Sequence, residues 1–186
     1  MSANQFGTVS IIGVGLIGAS LGLALKQAKV VHQMIGVGRS AANLDQALKM
    51  GAIDRVADLA DAVRSSQWIV VCVPVAQMRA IFTQMEPHLG SNTLITDAGS
   101  TKCDVILAAK ETLGKKVCQF VPAHPIAGGA QHGAAAARAD LFQDKQTIIC
   151  QLQENSVADV ALVEQFWMTV GSKIKRISAV QHDAIY

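Results

Sequence analysis

Aromatic side chains make up only 4% of this chain and charged ones 16%, and neither cysteine nor basic residues are clustered. Each scarcity excludes something. The four cysteines, Cys72, Cys103, Cys118 and Cys150, contain no C-x-x-C pair. They outline neither a zinc site nor a disulfide framework, so no metal is expected, and reduced thiols in a cytoplasmic protein are. A net charge of +2 without a basic run speaks against nucleic acid as a partner. No charged residue precedes Lys26, yet this opening stretch lacks a basic n-region and carries five glycines between Gly7 and Gly22. That is a poor composition for a membrane helix or a signal segment. The apolar run at residues 68–74 is too short to span a bilayer. A small-molecule partner is the expectation.

What is abundant points the same way. Hydrophobic residues reach 51%, rich in Ala, Val and Ile, which suits strands buried on both faces of a parallel sheet. At 186 residues, one α/β domain is the natural count. The chain is organised around TVSIIGVGLIGASLGLALK, where a β-branched run leads into Gly13, Gly15 and Gly18 and then into a helical stretch. In such a unit Gly13 makes the tight turn, Gly15 lets the backbone approach a pyrophosphate, and Gly18 lets the helix pack flat on the sheet. The amides at the helix start, at Leu16 and Ile17, then face the anion. A dinucleotide fold selective for NAD places an acid at the end of the second strand; here Arg39 and Ser40 stand there instead. A guanidinium pairs with a 2′-phosphate that a carboxylate would repel, so NADP is favoured, with NAD as the other option.

Further along, strands are expected at residues 33–37, 52–56, 68–74, 93–96, 115–121, 146–151 and 173–177, separated by helices at 40–50, 58–64, 75–87, 101–113, 134–141 and 157–170. The whole reads as a doubly wound, mostly parallel Rossmann-type sheet with helices on both faces. Val73 and Pro74 end the central strand and should border the cofactor, because ligands in open α/β sheets sit beyond the carboxyl ends of strands. Ser100 is an N-cap candidate for the helix at 101–113. After the strand at 115–121, two prolines flank Ala123-His124 and stiffen the backbone around one imidazole, a candidate acid–base group. His132 follows closely enough to reach the same cleft. Residues 178–186 start as a capped helix, read as the beginning of a linker toward a further domain, with residues 1–177 as the dinucleotide-binding domain.

The series GVGLIGASLGLAL, VVCVPV, TDAGSTK and FVPAHPIAGGAQHGAAAARADLF, with QHD near the end, resembles the prephenate and arogenate (cyclohexadienyl) dehydrogenases of tyrosine biosynthesis. The resemblance implies oxidative decarboxylation of prephenate or arogenate, with hydride passing to the nicotinamide. Carried over by motif, His124 takes the hydroxyl proton, and Ser100 hydrogen-bonds near that hydroxyl and also borders the cofactor. Lys102, Gly128 and His132 fall in the segments that border the substrate. Family members often carry an acid and then a serine after H-P-x-A-G, where this chain has Ala130 and His132. The resemblance also implies a helical C-terminal domain that forms a homodimer and lends an arginine to the substrate carboxylate, with the His182-Asp183 pair read first as structural. Two other readings share the glycine turn: a Rossmann dehydrogenase of another hydroxyacid or imine, and a non-catalytic NADP-sensing module.

Overall fold

The computed structural model describes residues 5–186, so the first four residues of the expected 1–177 domain lie outside it. Six strands, β1 (Thr8–Ile12), β2 (Gln33–Val37), β3 (Arg55–Val56), β4 (Trp68–Val71), β5 (Leu94–Asp97) and β6 (Phe120–Val121), form a sheet in the order β3-β2-β1-β4-β5-β6. Every pairing in it is parallel. Strand order reverses direction between β1 and β4, the topological switch point of a Rossmann fold. The registers Ile12↔Val37, Ile12↔Val71 and Val71↔Asp97 bring the carboxyl ends of four strands level. The loops that follow them therefore gather along one edge.

Helices cover both faces: α1 (Leu16–Gln27), α2 (Ala41–Lys49), α3 (Leu59–Ser65), α4 (Val75–Met85), α5 (Cys103–Leu113) and α6 (Val157–Thr169). Period-two alternation along β4 sends Trp68 and Val70 into one hydrophobic cluster and Ile69 and Val71 into the other. The few aromatics are concentrated: Trp68 stacks on Phe166 of α6 at 4.8 Å between centroids, and Phe6 meets both rings edge-on. Phe142 and Trp167 extend that group, so five of the chain's eight aromatic residues lie in one layer between α6 and the sheet. Offset and edge-to-face pairs of this kind add about 0.5–1.5 kcal/mol each beyond burial. No helix among the described residues is long and apolar enough to cross a membrane.

The structure departs from the expected elements in four places. The strand expected at 115–121 is a 3₁₀ turn over Gly114–Gln119 followed by the two residues of β6. The later strands do not extend the main sheet. Instead β7 (Ala123–Pro125), β8 (Gln146–Ile149) and β9 (Lys173–Arg176) form a separate three-stranded sheet, antiparallel between β7 and β8 and parallel between β8 and β9. His124 thus lies on a strand, opposite Ile148, not on a free turn. The helix expected at 134–141 shrinks to one 3₁₀ turn, Ala134–Ala136. Its amides are satisfied by other helices: Ala134 donates to Asn43 Oδ1 of α2 and Arg138 to Ser20 Oγ of α1, so no helical ladder is needed. Finally, Ser100 does not cap α5. The helix starts at Cys103, and the amides of Lys102 and Cys103 donate to the Asp183 carboxylate at 2.7 and 2.8 Å. A carboxylate from the last helix, α7 (Ala179–Ile185), supplies a charge-assisted cap that a serine hydroxyl would not match.

Candidate active site at the carboxyl edge of the sheet

The turn after β1 shows why glycine is required there. Gly13 has φ +102°, and a Cβ on it would lie 2.7 Å from the Cys72 carbonyl oxygen. A Cβ on Gly18 would lie 2.4 Å from the Gly13 carbonyl oxygen, so any side chain would push α1 off the turn. Above Gly15, by contrast, there is open space within 4 Å. Gly15 is the N-cap of α1, with no side-chain cap and no acid in the first turn, so the helix start presents unpaired amides. Twelve residues of aligned peptide dipoles stand behind them.

This turn opens into a cavity of about 650 Å³, within the range of cofactor sites. Of the expected cofactor residues, Gly13, Gly15, Arg39, Ser40, Val73 and Pro74 line it, from the loops after β1, β2 and β4. Leu16, Ile17 and Gly18 lie just behind the turn, and Ser100 is exposed in the β5–α5 loop, outside that lining. Arg39 is the one charged residue in the lining and makes no ion pair among the described residues; no carboxylate faces the cavity. The Ser40 hydroxyl is already used as the N-cap of α2, accepting the Asn43 amide. An open glycine, free helix amides, a lone guanidinium and an apolar wall fit a dinucleotide.

The second part of the site lies on the same edge, beyond β5. Asp97, the last residue of β5, is fully buried. Its Oδ2 accepts from the Lys102 ammonium at 2.5 Å and from the Gly99 amide, and its Oδ1 accepts from the Ala123 amide at 2.9 Å. Lys102 Nζ also donates to the Ala123 carbonyl at 2.6 Å. The lysine expected near substrate is therefore buried completely, with its charge committed to β5 and β7. The side chain's visible role is structural: Lys102 holds the carbonyl of the residue before His124, and its partner Asp97 holds that residue's amide. Burial pushes the pKa of the Cys72 thiol at the cavity wall up, and the Asp97 charge adds to it, so the two parts of the site are electrostatic neighbours.

His124 is half-buried, and its pKa is pushed down to about 4, first by desolvation, then by the Lys102 ammonium and His182. The imidazole is neutral at physiological pH, as a proton acceptor must be. Its Nδ1 lies 2.8 Å from His182 Nε2, and His182 Nδ1 lies 2.7 Å from Asp183 Oδ1. Backbone and side-chain donors hold the Asp183 carboxyl far below the usual range despite its partial desolvation. His182 is fully buried, and the Tyr186 ring stands edge-on to His124 at 6.4 Å. The sequence suggests a structural role for the His182-Asp183 pair; the contact between residues 58 apart brings the pair to His124.

The loop after His124 runs back over the glycine turn. Gly129 comes within 3.6 Å of Leu16, measured from where a Cβ would stand, and Gly133 packs on Asn43 of the cavity lining. Gly128 has open space around it. His132 is exposed and precedes Gly133, the residue that packs on Asn43.

Residues 21–176 match the model of the prephenate dehydrogenase nucleotide-binding domain family. The chain is 33% identical over 183 residues to cyclohexadienyl dehydrogenase of Zymomonas mobilis, covering 97% of this chain and 61% of that protein. It is 32% identical to prephenate dehydrogenase of Bacillus subtilis, over 96% of this chain and 48% of the relative. Among solved structures, prephenate dehydrogenase from A. aeolicus in complex with hydroxyphenyl propionate and NAD+ superposes with a TM-score of 0.91 at 25% identity, covering 99% of this chain and 64% of that one. The chain thus spans about half to two thirds of the length of these proteins, and it belongs to the prephenate dehydrogenase family, of which it carries the nucleotide-binding domain.

Proposed function

We propose that this chain is the cofactor-binding and proton-accepting part of a dehydrogenase that oxidatively decarboxylates prephenate or arogenate, with NADP favoured over NAD. The observation that carries the reading is a neutral imidazole, His124, whose preceding residue Ala123 is tied to Asp97 at the carboxyl end of β5, on the edge of the main sheet where the dinucleotide cavity opens. The reading includes a cytoplasmic homodimer, as family resemblance implies.

When bound, the nicotinamide supplies the hydride acceptor, and loss of carbon dioxide with aromatisation of the ring supplies the driving force. The chain's own residues bind, orient and hold a proton. Amides at the start of α1, with Gly15 clearing the approach, receive the pyrophosphate. The Arg39 guanidinium is free to pair with a 2′-phosphate, where an acid would select against it. His124 takes the proton of the ring hydroxyl as the carbon–hydrogen bond breaks, and its low pKa keeps the lone pair available. Ser100, exposed in the loop after β5 with no capping duty, is free to hydrogen-bond that hydroxyl.

The test is a paired measurement. NADPH and NADH are titrated by fluorescence, and turnover is assayed with prephenate and with arogenate. A His124→Asn change should leave NADPH affinity within about twofold and lower kcat by at least about 10²-fold, the range of a lost general base. Retained turnover would remove His124 from this role.

A further inference from the structure

We infer that His182, held by Asp183, is a positioning residue that sets the tautomer of His124, so that the lone pair sits on Nε2, the nitrogen left open toward the cleft. The inference deepens the reading above and rests on it for its catalytic consequence.

Protons can be counted along three groups in a row. Asp183 is ionised and therefore only accepts; its Oδ1 takes the Lys102 amide and its Oδ2 the Cys103 amide, both at the start of α5. The 2.7 Å contact between Asp183 Oδ1 and His182 Nδ1 thus requires the proton on that nitrogen. When His182 carries a single proton, its Nε2 is bare and accepts, and the 2.8 Å contact then has His124 Nδ1 donating. The remaining nitrogen, His124 Nε2, carries the lone pair. It has no hydrogen-bond partner among the described residues, and it is not among the sealed polar atoms of the protein.

The same logic orients the histidine of a serine-protease triad, where a carboxylate fixes the tautomer and an amide in its place supports the wrong one. Here the carboxylate acts through a second ring. A neutral imidazole left alone prefers its proton on Nε2, the arrangement in which His124 offers no lone pair to the cleft. The titratable groups that face His124 are Lys102, His182 and Asp183, with the Tyr186 ring against its edge. None of the others accepts from Nδ1, since the Lys102 ammonium is spent on Asp97 and Ala123.

The experiment is ¹⁵N NMR of the protein labelled at histidine, near pH 7.5, together with steady-state kinetics. In the unaltered protein His124 should show a protonated Nδ1 and a bare Nε2. A His182→Phe change, which keeps the ring volume and removes the acceptor, should move the His124 proton to Nε2 and lower kcat by about 10–100-fold with KM little changed, the size usual for a lost orienting partner. His182→Gln, whose amide oxygen can accept from Nδ1, should restore the native His124 spectrum. A proton on Nε2 in the unaltered protein, or a His182→Phe protein with native tautomer and native kcat, would overturn the inference. Because the spectrum needs no substrate, it decides the tautomer even if prephenate and arogenate both prove inert, an outcome that would sink the functional reading alone.

Discussion

The nucleotide cavity and the His124 centre share one edge of the sheet but are built in opposite ways. The cavity comes from three short loops, each following its own strand, and its defining features are local: a glycine with φ +102°, an uncapped helix start, an arginine in the loop after β2. The His124 centre is assembled from β5, the start of α5, β7 and α7, through contacts between residues 26, 58 and 81 positions apart. A locally coded site tolerates loss of one part, whereas an assembled one loses position everywhere when one strut is removed.

That contrast orders the expected effects. The largest belongs to Lys102→Met. Removing one partner from a fully buried ion pair leaves Asp97 uncompensated, and such losses run to about 3–5 kcal/mol. Denaturant unfolding should show a drop of that order, with His124 displaced as well; a loss below about 1 kcal/mol would mean that the pair does not hold β7 to β5. Arg39→Ala should be milder and confined to the cavity. Losing a charge-assisted contact is worth about 1.5–3 kcal/mol, so NADPH should bind about 10–100-fold more weakly while NADH and the melting curve barely change. Equal weakening of both nucleotides, or none, would break the assignment of Arg39 to the 2′-phosphate.

The smallest effect is a displacement along the pH axis. The folded pKa of His124, about 4, lies below its ordinary value of 6.5, so the folded state resists protonation more than the unfolded one. Its contribution to stability is complete above pH 6.5 and is lost as pH falls toward 4. By the same shift, the acid limb of kcat/KM should fall near pH 4, and an acid limb at 6.5 or above would show that burial and Lys102 do not act on the ring as described.

What was legible in the sequence follows the same division. Glycine spacing, β-branched runs and the Arg39 position are local signals, and the order of strands and helices followed from them. The failures cluster where distant partners decide. Residues 134–141 have the alanine content of a helix, but Ser20 and Asn43 take amides that a helix would use. Ser100 has the position of an N-cap, but Asp183 arrives from the other end of the chain. The burial of Lys102 against Asp97 is likewise set by a partner that no local pattern names. No local pattern announces that His182 touches His124; an adjacent His-Asp pair on a short amphipathic segment was the only hint.

The short outer strands also limit how copies of this protein can meet. In the main sheet β3 and β6 are two residues each; in the smaller sheet β7 has three residues including Pro125, and β9 displays Lys173, Lys175 and Arg176 to solvent. Blunt, proline-bearing or cationic margins give an incoming strand little to zip onto. Self-association by ribbon extension is thereby discouraged, and any stable pairing between subunits is left to helices and loops.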